Sequence, residues 1–286
     1  MKSIPAYIIF FSVVLSLNSC AQTKPLSTPA DTAYKINSND SFSLIRFVAG
    51  SYSMMDVDML NNIYLVTAGN QLKKLNANGD SIAAFNDVKK YGNPSLVDVS
   101  NPLKVLLYYK NFATVVILDR LLSQRNSINF RQQNIFSVKA IGSSYDNNIW
   151  LFDEQDLTLK KIDEAGKVLL TTTDWRLLMD SVPAPAKIID ANNFVYLYDD
   201  AKGFYIFDYY GTFKNNLPFL HWENISVGTN SLAGFSGTQY FSYQLQSLQL
   251  KTYTLPFYIN DYTGIRAMNG KIYLLKKEGL YIYTVQ

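Results

Sequence analysis

His221-Trp222-Glu223 places the chain's single histidine two residues from a carboxylate, a pair able to exchange a proton with a bound substrate. The triplet stands by itself: no Gly-x-Ser-x-Gly nucleophile elbow occurs. One histidine excludes multi-histidine zinc or non-haem iron sites. One cysteine, Cys20, excludes an intrachain disulfide and a multi-cysteine metal site. Asp58, Asp98, Asp146 and Asp190 recur along the chain and could offer oxygens to a hard cation such as calcium. Each precedes asparagine in a tight-turn sequence, where a carboxylate accepts from turn amides, so the spacing calls for neither metal nor cofactor. Side chains suited to recognition are more plentiful. Lys89, Lys90, Tyr91, Arg125, Arg131, Trp175, Arg176, His221, Trp222, Glu223, Tyr258 and Tyr262 fall between apolar runs. Trp, Tyr and Arg are the types enriched at binding hot spots.

Such residues need a scaffold, and its unit is VDMLNNIYLVTAGNQLKKLNANGDSIAAF, Val57 to Phe85. Ile63-Tyr64-Leu65-Val66 is a continuous β-branched and aromatic run, suited to a strand buried on both faces. Asn61-Asn62 before it tolerates left-handed backbone angles and fits a tight hairpin. Leu72-Lys73-Lys74-Leu75 is more mixed, as for a strand nearer solvent, and Asn78-Gly79 makes a second hairpin. The unit therefore reads as four short strands. A single sheet of this kind cannot bury its own faces and must stack on copies of itself.

Copies follow. Val97-Asp98-Val99-Ser100-Asn101 leads into Val105-Leu106-Leu107-Tyr108, and Tyr145-Asp146-Asn147-Asn148 into Ile149-Trp150-Leu151-Phe152. Ile189-Asp190-Ala191-Asn192-Asn193 leads into Phe194-Val195-Tyr196-Leu197. The last two are Val227-Gly228-Thr229-Asn230 before Leu232-Ala233-Gly234-Phe235, and Met268-Asn269-Gly270 before Ile272-Tyr273-Leu274. Residues 41–286 thus divide into six units of about 41 residues, within the period of propeller blades. The repeat resembles that of six-bladed β-propellers of the NHL and lactonase-like type. The resemblance implies an all-β fold: a single six-bladed propeller of four-stranded antiparallel blades. The last unit has only three strands, so residues 42–48 are expected to supply the fourth and close the ring. Residues 112–124 could be taken for a helix, but Val115-Val116-Ile117 favours a strand.

In such a ring the between-blade connections share one face, expected here at 86–96, 124–139, 171–187, 217–224 and 256–264. The opposite face carries short hairpins. Long loops on a rigid scaffold are where binding usually resides.

The N-terminus sets an address. Lys2 precedes the apolar run Ala6–Leu17, which is too short to span a membrane and reads as a secretory signal. Leu17-Asn18-Ser19-Cys20 resembles a bacterial lipobox, which implies a signal peptide over 1–19 and lipidation of Cys20. Residues 20–40, rich in Ser, Thr, Pro, Asp and Asn, read as a flexible tether before the propeller at 41–286. Ala21-Gln22 after the cysteine, compared with Gram-negative sorting rules, implies the periplasmic leaflet of the outer membrane. Net charge is +3, from 26 basic and 23 acidic residues, with no run of five or more basic residues, which argues against nucleic-acid binding.

With no convergent catalytic set, the expected function is a non-catalytic scaffold binding another envelope protein. A sugar- or peptidoglycan-fragment binder, with Trp175, Trp222 and the loop tyrosines as stacking platforms, is the alternative. A calcium-dependent lactonase-like hydrolase is the third reading.

Overall fold

The computed structural model describes residues 42–256 and 261–285. The proposed signal peptide, Cys20, the tether and Tyr258 lie outside them. Strand β1 spans Phe42–Ala49. Blade 1 is β2 (Tyr52–Val57), β3 (Ile63–Thr67), β4 (Leu72–Leu75) and β5 (Ser81–Phe85). Blade 2 is β6 (Leu96–Asn101), β7 (Lys104–Tyr109), β8 (Thr114–Asp119) and β9 (Gln124–Asn129). Blade 3 is β10 (Val138–Ser143), β11 (Ile149–Asp153), β12 (Thr158–Ile162) and β13 (Val168–Thr171). Blade 4 is β14 (Lys187–Ala191), β15 (Phe194–Asp199), β16 (Gly203–Asp208) and β17 (Phe213–Leu217). Blade 5 is β18 (Glu223–Val227), β19 (Ser231–Ser236), β20 (Gln239–Gln244) and β21 (Gln249–Thr254). Blade 6 is β22 (Gly264–Met268), β23 (Lys271–Lys276) and β24 (Gly279–Val285), completed on the outside by β1. The molecule is an all-β, six-bladed propeller.

Ring closure is direct. Phe42 pairs with Val285 and Ala49 with Gly279, antiparallel throughout. The register slips between Leu44 and Arg46, a bulge that distorts this outermost edge. The stretch 112–124 holds a strand and no α-helix, as its β-branched run indicates: β8 occupies Thr114–Asp119.

Second strands such as β7 and β11 are buried along their whole length, because each blade is covered on both faces by its neighbours. Hydrophobic clusters fill the gaps between blades. Val57, Ile63 and Leu65 of blade 1 meet Tyr273, Leu280 and Ile282 of blade 6 in one of them. Outer strands such as β21 are largely exposed and polar.

Asparagines in the first-to-second-strand turns have two jobs. Asn61, Asn147, Asn192 and Asn269 hold positive φ. Several also reach the next blade. The Asn269 amide donates to Met59 O and the Asn61 side chain, tying blade 6 to blade 1. Asn192 does the same for blades 4 and 5 through Gly228 O, 2.6 Å away. The buried Lys104 ammonium donates to the Asn147 carbonyl across the gap between blades 2 and 3.

The recurring aspartates divide in the same way. Asp58 accepts from the Leu60 and Asn62 amides, and Asp146 from Asn148 N, the expected turn role. Asp98 accepts from Ser100 N with one oxygen but from Ser143 N of blade 3 with the other. Asp190 accepts from Trp150 Nε1, Ser144 Oγ and Tyr209 OH, binding blade 3 to blade 4.

Burial would push the Asp146 carboxyl up, but hydrogen bonds from Lys161, Ser144 and Asn148 outweigh it and hold the carboxyl at about 2. A folded pKa below the unfolded one adds stability above the usual carboxylate range and loses it as pH falls through the folded value. Asp146→Asn is therefore expected to be less stable than the parent at neutral pH, the difference shrinking below about pH 4 and vanishing only below about pH 2. Urea denaturation at stepped pH measures it; a pH-independent gap would assign Asp146 a role that does not involve its charge.

Candidate functional site

The antiparallel order puts first-to-second and third-to-fourth hairpins at one end of the ring, and second-to-third loops with the between-blade connections at the other. Four of the connections are built alike: an aromatic ring turns inward and polar or basic side chains stay outside. After β5, the helical turn α1 (Val88–Tyr91) buries Tyr91, stacked on Tyr109 at 5.0 Å, and leaves Lys89 and Lys90 exposed. Lys90 Nζ lies 4.6 Å over the Tyr91 ring. After β9, the short 3-10 segment Phe130–Gln133 buries Phe130 and exposes Arg131, which reaches Asn111 O. After β13, Asp174 caps a turn that buries Trp175 between Phe152 and Phe207, with Arg176 outside and paired to Asp174. After β17, Trp222 is buried among Phe219, Phe241 and Phe204, while His221 stays exposed.

Trp175 is 0% and Trp222 5% exposed, so neither ring is available as a stacking platform; Tyr91 is enclosed as well. Arg125 sits on the outer strand β9, paired with Glu164, because that strand already begins at Gln124. His221 Nδ1 lies 2.9 Å from Asp200 at an open surface, and its triplet partner Glu223 begins innermost strand β18 instead of meeting it there. Tyr262 is half-buried and donates to Gly237 O; burial and nearby Glu223 push its hydroxyl up to about 12. The small residues of blade 5 make room for Trp222: a Cβ on Gly234 would lie 2.9 Å from Trp222 Cβ.

A second cluster lies on the innermost strands. Arg266 of β22 lies 3.3 Å from Asp56 of β2 and donates from Nη1 to Ile225 O of β18, so one side chain spans three blades. Lys187 opens β14 on the far side of the ring. Its charge is influenced by those of Asp56, Arg266 and Asp98, which lie on innermost strands of blades 1, 6 and 2. Lys187 keeps part of its surface accessible to water although protein surrounds it. Burial pulls the ammonium below the ordinary lysine range; Asp56 and Asp98 oppose that shift and Arg266 adds to it. Sequence spacing does not single out Asp56, Arg266 or Lys187. The signal that finds them is a lone charge in an otherwise apolar innermost strand, as in Met54-Met55-Asp56-Val57 and Gly264-Ile265-Arg266-Ala267.

Among the described residues, no group of three or more His, Cys, Asp or Glu side chains is arranged to hold a metal ion. No helix among them is long and apolar enough to cross a membrane.

No protein-family profile matches the chain, and no curated protein matches it. Solved structures do. A streptogramin B lyase is 15% identical, with 81% of this chain and 78% of that one covered at a TM-score of 0.57. The Pan2 WD40 domain of Neurospora crassa is 11% identical, covering 85% and 81% at a TM-score of 0.57. A catalytically inactive virginiamycin B lyase from Staphylococcus aureus, solved with quinupristin, is 12% identical, covering 82% of each chain at the same score. At such identities the likeness concerns fold and nothing further. With the strand pairing described above, it makes the chain a β-propeller of six blades, sealed by its own first strand.

Proposed function

We propose that the protein is a non-catalytic interaction module of the cell envelope, tethered through a lipidated Cys20 to the periplasmic leaflet of the outer membrane. Its connection face would dock a partner envelope protein. The observation that carries this reading is the construction of that face. Tyr91, Trp175 and Trp222 anchor three connections from beneath, and Lys89, Lys90, Arg176 and His221 stay outside. Loops held this way lose little further conformational freedom on binding, which favours affinity. Exposed cations tune association rate and partner choice more than raw affinity. An acidic partner surface fits them best. Burial of Trp175 and Trp222 weakens the glycan reading, which leaned on both rings.

Affinity capture of the full lipidated chain in mild detergent tests the proposal. One stoichiometric membrane or envelope protein is expected. The joint substitution Lys89→Glu, Lys90→Glu and Arg131→Glu should lose it while leaving the melting temperature within about 2 °C, as for exposed sites. A chain that runs alone, or a partner retained by the triple variant, would overturn it.

A further inference from the structure

The hairpin end of the ring carries large apolar side chains that the fold leaves in water. Leu60, Leu103, Leu121, Tyr145, Tyr210 and Leu248 sit in hairpin turns of blades 1 to 5 and are between 55% and 86% exposed. Four of them share one construction. A side chain two residues earlier accepts from the backbone amide of the apex residue: Asp58 from Leu60, Asn101 from Leu103, Asp119 from Leu121 and Asp208 from Tyr210. The Asp or Asn side chain holds the turn, so the turn does not require a large apolar residue at its apex. Leu248 goes further: its φ is 56°, a backbone angle that suits Asn or Gly and is costly for Leu. Blade 6 has no third-to-fourth hairpin, because β1 is its fourth strand, and the chain enters the ring there. Phe42 pairs with Val285, and Val285 N donates to Gly270 O in the first turn of that blade. The segment that holds Cys20 and the apolar run Ala6–Leu17 therefore joins the ring at the same end as the exposed tips.

We infer that the hairpin end rests on a lipid bilayer, with these Leu and Tyr tips set into its surface layer. The inference builds on the anchoring through Cys20 proposed above. Leucines there bury apolar area, and tyrosines suit the boundary between chains and headgroups. An attached chain makes the contact intramolecular, so tips that are individually weak act together. The opposite end also exposes apolar residues, Phe136 and Leu177 among them. They are interleaved with Lys89, Lys90, Arg131 and Arg176 and lie at the far end from Phe42. At the hairpin end Asp58, Asp119 and Asp208 are occupied by turn amides, so the contact is apolar and does not select headgroup charge. The connection face then points away from the bilayer, open to its partner.

Cys20 is the only cysteine, so the full chain made without lipidation can be coupled through that thiol to phosphatidylcholine vesicles bearing a maleimide lipid. Trp150, Trp175 and Trp222 are enclosed, so lipids brominated along their acyl chains, which quench on contact, report on a tryptophan placed at the surface. The emission added by Leu60→Trp and by Leu103→Trp should shift to the blue and be quenched on coupling to brominated vesicles. That added by Leu177→Trp, at the other end, should stay unquenched. The joint substitution Leu121→Ser, Tyr210→Ser and Leu248→Ser should abolish quenching of Leu103→Trp while leaving the melting temperature within about 2 °C, as for exposed sites. Unquenched tips, equal quenching of Leu177→Trp, or quenching that survives the triple substitution would overturn the inference. Mass measurement of the chain isolated from cells reads the anchor separately. An unmodified Cys20 would end the anchoring and leave the vesicle result intact, whereas unquenched tips would end this inference and leave the anchoring intact.

Discussion

Deleting residues 42–49 is expected to lower the melting temperature by roughly 10–20 °C. The lost ladder hydrogen bonds, at about 1 kcal/mol each, amount to a net loss of about 3–6 kcal/mol, and a domain of this size shifts by about 2–4 °C per kcal/mol. The removed strand pairs along the full length of β24, from Phe42–Val285 to Ala49–Gly279. Its loss uncovers β24 and removes Val48 and Phe47, which packs on Tyr281 at 4.7 Å. A point substitution probes the same seam. Gly279 has φ near 154°, and a Cβ there would lie 2.4 Å from the Val48 carbonyl. Gly279→Ala should therefore reproduce part of the loss without removing any side chain. Calorimetry reads both. A melting temperature unchanged by the deletion would show that the last blade stands without β1.

Trp175→Ala is expected to cost about 3–5 kcal/mol, the range for emptying a buried aromatic site. The indole stacks on Phe207 at 4.8 Å and meets Phe152 at 4.7 Å. Its Nε1 donates to Thr172 Oγ1 at 3.1 Å, and Thr172 Oγ1 in turn accepts from Leu159 N. The substitution opens a cavity between blades 3 and 4 and strips a partner from that hydroxyl. Trp175→Phe should recover much of the loss, because it refills the ring space and omits only the hydrogen bond. Urea denaturation measures the series. A cost for Trp175→Ala under about 1 kcal/mol, typical of a surface site, would mean that the ring is not a core element in solution.

The blades are legible in the sequence because two signals coincide. In blades 1, 3, 4 and 6 a turn with asparagine at positive φ precedes a run of β-branched, leucine and aromatic residues, and blades 2 and 5 follow at the same spacing. The fate of Trp175 and Trp222 is not legible that way. Both lie in segments without apolar period, which reads as surface; a single turn of backbone, Trp175–Leu177 in one case, folds the ring back between blades. Arg125 is misplaced for the opposite reason. Gln124-Arg125-Asn126-Ser127 is polar because outer strands face water, so a strand there looks like a loop. The charges on the innermost strands escape notice because a single residue per blade carries them, and the meeting of Asp56 with Arg266 depends on blades far apart in sequence.

The pairing of Phe42 with Val285 also dictates when the molecule can be finished. Strand β1 must wait, unmatched, until β24, more than two hundred residues later, has left the ribosome. Contacts of such long sequence separation form slowly. In the interval both the waiting strand and the incomplete last sheet present open edges to other chains. A polypeptide that stops before β24 has nothing for β1 to grip, so assembly itself tests whether β24 has been made.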